Sequence, residues 1–213
     1  MTVDIRQTTL TRSRYDRLAR IYDPMEALIE RFGFRCWRER LWGRLRGQHM
    51  RTLEVGVGTG KNMPYYPPDA EVTAVDLSEK MLAKARERAR RLGLEVELRP
   101  MDVQRLDFPD DSFDAAVATF VFCSVPDPVL GLRELARVVK PGGQIILLEH
   151  VRARHPILGR IMDWLNPPVV RVMGANINRR TVDNVRKAGL PLREVEVLVS
   201  DGIVKLIVSG ASF

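Results

Sequence analysis

The sequence predicts an α/β fold built on a doubly wound, seven-stranded sheet whose last strand runs antiparallel. Three observations carry that expectation. From residue 51 onward, short apolar runs alternate with helical patterns, as in successive βαβ units. The first run, Leu53-Glu54-Val55, passes straight into Gly56-Val57-Gly58-Thr59-Gly60, a glycine turn that leads a buried strand toward a helix. Near the end of the chain, residues 195–200 and 203–209 are β-rich runs joined by Asp201-Gly202, a two-residue hairpin signal.

Taken in order, strands are expected at 51–56, 71–76, 94–99, 113–120 and 144–149, with the two hairpin strands after them. Ser78 is a natural N-cap for a helix that runs to Leu92 and stops at Gly93. Residues 128–139 form another helix, ended by Pro141-Gly142-Gly143. Apolar residues at helical spacing over residues 156–165 predict an amphipathic helix, and Asn166-Pro167-Pro168-Val169 is expected to stop it.

With 213 residues, 45% of them hydrophobic, the chain suits one domain with a substantial core. It divides into an N-terminal segment (1–50), a core (51–150), a helical insertion (151–190) and the hairpin (191–213). No apolar run approaches the roughly 20 residues that span a bilayer, and the N-terminus lacks a signal-peptide core, so a cytoplasmic location is expected. Cys36 and Cys123 are the only cysteines, without disulfide or metal-ligand spacing, and no metal is expected.

The net charge of +7 is unevenly placed. Residues 1–51 carry +6, residues 52–151 carry −4, residues 152–187 carry +6 and the remainder −1. Two basic segments flanking an acidic core point to an anionic partner, a nucleic acid or a membrane surface; solvated arginine-rich faces are the plainer alternative.

The chemistry starts at the glycine turn. Its spacing is GxGxG, whereas a dinucleotide fingerprint would need a third glycine where Lys61 stands. A dinucleotide sets a pyrophosphate against a helix N-terminus; S-adenosylmethionine offers only a carboxylate there, and the turn fits it better. The next strand ends in Asp76, where a carboxylate accepts hydrogen bonds from a ribose diol. Glu54 is placed to take an ammonium, directly or through water. At the end of the third strand, Asp102 is positioned to accept from an adenine amine, with Met101 and Val103 as apolar cover and Met81 as a further wall.

LEVGVGTG, AVDLSEKML, MDVQRLDFPDDSFDAAVA and LRELARVVKPGG, in that order, resemble the class I S-adenosylmethionine-dependent methyltransferases. Within them the chain is most similar to the ubiquinone/menaquinone C-methyltransferase type and its bacterial phospholipid N-methyltransferase relatives. The resemblance covers residues 51–150 and implies a Rossmann-like methyltransferase fold. It also implies cofactor roles for Glu54, Gly56, Gly58, Asp76, Leu77, Met101 and Asp102, and places the segment from Phe120 to Ser124, Cys123 included, near the transferred methyl. The run from Tyr15 to Asp23 resembles the YDxxAxxYD helix that lies over the cofactor in this group, making residues 1–50 a helical lid. Tyr15, Leu18, Ala19 and Tyr22 share one face, and the phenols of Tyr15 and Tyr22 offer hydroxyls or π-faces to a sulfonium. A helix that simply packs an apolar stripe is the alternative. Catalysis in such an enzyme is mostly alignment and exclusion of water; His150, preceded by Glu149, is the candidate base where the acceptor carries a proton.

The acceptor is read from the flanks. The 156–165 helix combines Trp164 with arginines, which suits an anionic membrane surface or a lipid-like acceptor, although burial as a pocket wall is the rival reading. The Asn-Pro-Pro sequence stands outside the place after strand four where nucleic-acid amino methyltransferases carry theirs, so no nucleic-acid acceptor is expected. Residues 174–181 are similar to a segment in methyltransferase-like proteins that dock on lipid droplets and methylate thiols, and the quinone enzymes' substrate pattern is absent. Arg179 and Arg180 are placed for a phosphodiester head group. The expectation is therefore peripheral contact with the inner face of an anionic membrane and methyl transfer to an amphipathic acceptor, the amine of phosphatidylethanolamine first. A quinol carbon or a small thiol is the alternative enzyme reading, and a cofactor-binding RNA-associated protein the non-enzyme one.

Overall fold

The computed structural model describes residues 3–19, 33–45 and 49–211. Among these residues there are six α-helices: α1 (Ile5–Leu18), α2 (Arg35–Gly43), α3 (Glu79–Leu92), α4 (Pro128–Val138), α5 (Pro156–Met173) and α6 (Thr181–Lys187). The strands are β1 (Arg51–Val55), β2 (Glu71–Asp76), β3 (Glu97–Pro100), β4 (Phe113–Thr119), β5 (Val139–His150), β6 (Leu192–Val197) and β7 (Val204–Gly210). They form one sheet in the order β3-β2-β1-β4-β5-β7-β6. The first five run parallel, and β7 enters antiparallel between β5 and β6.

The central strands read as nearly unbroken apolar runs because helices cover both faces of the sheet. Ala116, Ala118, Ile145, Leu147 and Ile207 pack with Leu132 and Leu135 of α4 and Val185 of α6. On the opposite face, Val117, Ile146, Leu148 and Leu206 meet Leu41 and Trp42 of α2, while Leu82, Ala85 and Ala89 of α3 close over Ala74. The edge strands β3 and β6 are partly exposed and charged, which blunts them against further pairing.

Helix punctuation obeys the sequence closely at two points. Ser78 Oγ accepts from the Met81 amide, and α3 ends at Gly93 in the left-handed region with φ 65°. Asp127 Oδ1 caps α4 by accepting from Val129 and Leu130, and Pro128 occupies its first position.

Three expectations are corrected. The Pro167–Pro168 pair does not stop α5, which continues to Met173 and ends at Gly174 with φ 76°. Both prolines are exposed, as are Asp163 and Trp164 one turn before them, so the helix loses its two bonds on a solvent-facing side where a carbonyl without an amide partner costs least. The Asp201-Gly202 pair is not a two-residue hairpin. It sits in a 3-10 turn, Ser200–Gly202, because the Asp201 and Ile203 carbonyls accept from Arg154 and Val151 rather than from the facing strand. Finally, β5 begins at Val139, directly after α4, and Pro141-Gly142-Gly143 forms an irregularity inside it before regular pairing with β4 from Gln144 onward.

Candidate functional site

The reversal of strand order between β1 and β4 opens a crevice at the carboxyl ends of the strands, the place where open α/β sheets hold ligands. A cleft of about 710 Å³, open solvent included, lies there. Its floor is the glycine turn after β1, one wall comes from the ends of β2 and β3, another from residues 119–126 after β4, and Thr11 and Tyr15 of α1 form the roof.

The turn needs its glycines for two different reasons. Gly56, at φ 66°, lies so close to the next loop that a Cβ would stand 2.4 Å from Val121 Cγ2. Gly58, at φ 56°, faces open space within which a Cβ would meet nothing closer than 4 Å. The first is therefore demanded by packing and the second leaves room for a ligand.

Asp76 closes the end of β2. Its Oδ2 accepts from the Gly58 amide and its Oδ1 from the Ser78 amide, each at 2.8 Å. Burial raises its pKa to about 6, against the pull of those amide bonds. Asp102 at the end of β3 is held by Gln104, whose Nε2 donates at 3.0 Å to Oδ2, and by Thr8 Oγ1 of α1 at 3.1 Å. Ser78 Oγ donates to Asp16 Oδ1 at 2.5 Å, so α1 is tied across the cleft at two points.

The loop after β4 is mounted on strained backbone. Phe120 has φ 56°, uncommon for an aromatic residue, and its ring lies 4.8 Å from that of Phe34. It is held there by its amide bond to the Leu148 carbonyl and by Glu149, whose Oε1 accepts from the Val121 and Phe122 amides at 2.9 and 3.0 Å. Glu149 is fully buried, which raises its pKa to about 7.

Of the residues expected at the site, Tyr15, Gly56, Gly58, Asp76, Leu77, Met81, Met101, Asp102, Val103 and Phe120 line this one cleft. Burial pushes the Tyr15 phenol up, and Ser124 hydrogen-bonds to it. Tyr22 lies outside the described residues. Glu54 sits beneath the turn instead of on the cleft wall: Asn62 Nδ2 donates to its Oε1 at 2.6 Å, Tyr66 OH to its Oε2, and Arg38 braces Asn62 at 2.7 Å. Burial raises the Glu54 pKa to about 7. Cys123 is buried beside the cleft with its thiol pushed up to about 12 by desolvation, so it stays protonated. His150, at the end of β5, does not line the cleft, and burial lowers its pKa. Trp164 is 78% exposed on α5. Arg179 donates to the Val125 carbonyl at the cleft rim at 2.8 Å, while the exposed Arg180 lines a second, separate pocket.

Val121 and Ser124 fall in the segment 120–124 expected near the transferred methyl, whereas sequence reasoning missed Thr11, Thr119, Val125 and Pro126 as cleft residues, and Asp16 and Gln104 as their support. Asp16 stands inside the Tyr15–Asp23 run, which was the available signal; the bracket on Glu54 has none, because it joins residues from three separate elements.

Among the described residues no group of side chains has the make-up of a metal site, and no helix is long and apolar enough to cross a membrane. The groups present suit S-adenosylmethionine: a buried carboxylate acceptor at a ribose position, an acid flanked by apolar residues, and an open glycine floor without basic side chains for a pyrophosphate.

Comparison with known proteins agrees. A methyltransferase-domain family profile matches residues 53–147. The chain is 48% identical over 102 residues to a phosphatidylethanolamine N-methyltransferase of Cereibacter sphaeroides, covering 47% of this chain and 50% of that one. It is 31% identical to a ubiquinone/menaquinone biosynthesis C-methyltransferase of Methylobacterium nodulans, covering 82% and 75% of the two chains. To a human thiol S-methyltransferase it is 31% identical, covering 74% and 68%. In fold it resembles a S-adenosylmethionine-dependent methyltransferase from Thermotoga maritima, with a TM-score of 0.68, 24% identity and coverage of 94% and 99%. It also resembles a geranyl diphosphate C-methyltransferase from Streptomyces coelicolor solved with S-adenosylhomocysteine, with a TM-score of 0.66, 18% identity and coverage of 83% and 78%. With relatives 31% identical that it matches over two thirds or more of their length, the chain belongs to the class I S-adenosylmethionine-dependent methyltransferases.

Proposed function

We propose that this methyltransferase modifies an amphipathic acceptor presented at an anionic membrane surface, with the amine of phosphatidylethanolamine as the first acceptor. The observation that carries this reading is the outer face of α5. Ile157, Ile161, Trp164 and Val172 are 64%, 46%, 78% and 76% exposed along one helix, flanked by the exposed Arg160 and Arg171. An apolar stripe with an indole and a basic margin has the build of an interfacial helix. It is joined to the cleft rim, since Asn166 bonds Asn176, and Asn176 donates twice to the Cys123 carbonyl.

In this reading Asp76 accepts from the ribose hydroxyls, Asp102 with Met101 and Val103 receives the adenine, and Glu54, beneath the glycine turn, acts on the ammonium through water. The cofactor supplies a methyl group already activated on a sulfonium. Tyr15 and Phe120 then hold the acceptor nitrogen in line and exclude water, which contributes on the order of 7–11 kcal/mol in well-aligned systems. Among the described cleft residues the only acidic side chains are Asp76 and Asp102, which hydrogen bonds already engage, and the Tyr15 phenol is held protonated by burial. The amine therefore arrives deprotonated from solvent, and His150 has no part in the transfer.

The resemblance to thiol and quinone methyltransferases supports a second reading, a small thiol or a quinol carbon as acceptor. Labelled S-adenosylmethionine incubated with phosphatidylethanolamine vesicles, demethylmenaquinol and small thiols separates the three. Label entering the phospholipid supports the first reading, and label confined to a thiol or quinol overturns it.

A further inference from the structure

A second pocket opens beside the cofactor cleft, between the segment after β5, the start of α6 and the start of β7. Six cationic side chains line it, from Arg152, Arg154, Arg179, Arg180, Arg186 and Lys205, against the single acid Asp183. That acid is already engaged by Arg186 at 3.3 Å, and Arg152 is paired outward with Asp163 at 2.8 Å.

Lys205 is the informative member. It is only 8% exposed, yet it has no hydrogen bond or ion pair among the described residues. Its stem is packed away while its ammonium reaches the pocket, where no opposing charge meets it. Its cross-strand neighbour in the β5–β7 ladder is Glu149, the natural counter-ion. That carboxylate instead turns Oε1 to the Val121 and Phe122 amides and forms no ion pair with Lys205. Arg154 and Arg180 also lack an ion pair among the described residues, and the wholly buried Thr181 has a hydroxyl without a partner. Burial and the neighbouring Arg154 lower the Lys205 pKa, the direction expected of a cation waiting for an anion.

We propose that this pocket is a phosphate-binding site, in which Lys205, Arg154 and Arg180 receive the oxygens of a phosphate group on a small molecule or a lipid. Arginine forks fit carboxylate and phosphate alike, but several cations around one concavity call for an anion with more charge and more oxygens than a single carboxylate offers, which a phosphate group has. The site is independent of which acceptor the enzyme methylates, since none of its three named cations lines the cofactor cleft.

The test uses the full chain and two probes, inorganic phosphate by calorimetry and phosphatidylcholine vesicles containing phosphatidate by flotation, on wild type, Lys205→Met and Arg154→Gln. Phosphate binding that weakens at least tenfold in both variants, with unchanged S-adenosylmethionine affinity, supports a site for free phosphates. Vesicle binding that is lost in both variants while free phosphate shows no heat supports the same site with a lipid as the source. Binding unaffected by either substitution, or no binding of either probe, overturns it. Melting without ligand adds a readout that a structural lysine would fail. Lys205→Met is expected to melt higher than wild type because it removes a cation crowded by Arg154 and Arg186, and a lower melting temperature with no phosphate effect in wild type also overturns the proposal.

Discussion

Asp76→Asn separates the cost of a buried charge from its use. In the wild type, burial lifts the carboxyl from 3.8 to about 6, so at pH 8 its ionised form costs the fold about 3 kcal/mol. Asparagine removes that charge but turns an NH₂ toward either the Gly58 or the Ser78 amide, forfeiting one backbone bond worth about 1 kcal/mol. The variant should therefore be as stable as wild type at pH 8, or more stable by about 1–2 kcal/mol. Cofactor binding should move the other way. Two ribose hydroxyls that lose a charged acceptor forfeit about 1–1.5 kcal/mol each, which raises Kd on the order of 30- to 150-fold. At pH 5 the wild-type carboxyl is itself mostly protonated, and the gap should shrink about tenfold, to roughly 4- to 15-fold. Calorimetric titration with S-adenosylmethionine at pH 8 and pH 5, beside urea unfolding, measures both. Equal affinities at pH 8, or a penalty that does not change with pH, would refute the assignment of Asp76 to the ribose.

The same sign governs the whole fold. Asp76 at about 6 and Glu54 and Glu149 at about 7 hold protons in the native state that the unfolded chain releases from about pH 4 upward, so stability should fall between pH 5 and pH 8. A urea midpoint that rises over this range would contradict the buried-carboxylate account. Gly56→Ala sets a Cβ 2.4 Å from Val121 at positive φ and should destabilise by roughly 2–4 kcal/mol. Gly58→Ala meets open space and should cost about 1 kcal/mol of strain while weakening cofactor binding; thermal melts with and without cofactor distinguish the two. Replacing Ile161 and Trp164 together by Asp should abolish flotation with anionic vesicles and leave cofactor affinity within about twofold, since neither touches the cleft. Flotation that persists would remove α5 as the membrane-facing element.

What could be read from the chain was what local chemistry dictates. The glycine turn, Asp76 and Asp102 are placed by strand ends, and the Ser78 cap and Gly93 stop by backbone needs that any helix has. The errors came where tertiary context overrode a local rule. Pro167 and Pro168 break helices when the orphaned carbonyls are buried, and here they face water. Asp201-Gly202 has the positive φ values of a tight hairpin, 61° and 69°, but the segment after β5 takes the carbonyls that a hairpin would use. Glu54 is recognisable as a buried acid, whereas Asn62, Tyr66 and Arg38 reach it only after β1, the 3-10 turn Met63–Tyr65 and α2 have docked. Lys205 reads as an ordinary polar position of a strand until burial on the helix-covered face shows otherwise.

The position of β7 bears on how such a chain is made. It is the last strand in chain order, yet it lies between β5 and β6, with seven residue pairs on its β5 side. During synthesis the open edge of β5 has no partner until residues 204–210 emerge, and β6, completed just before, has nothing to join. A nascent chain therefore carries an unpaired apolar strand edge, Ile145 to Leu148, while residues 151–203 are made, which makes this edge the place where premature release or slow translation would seed aggregation.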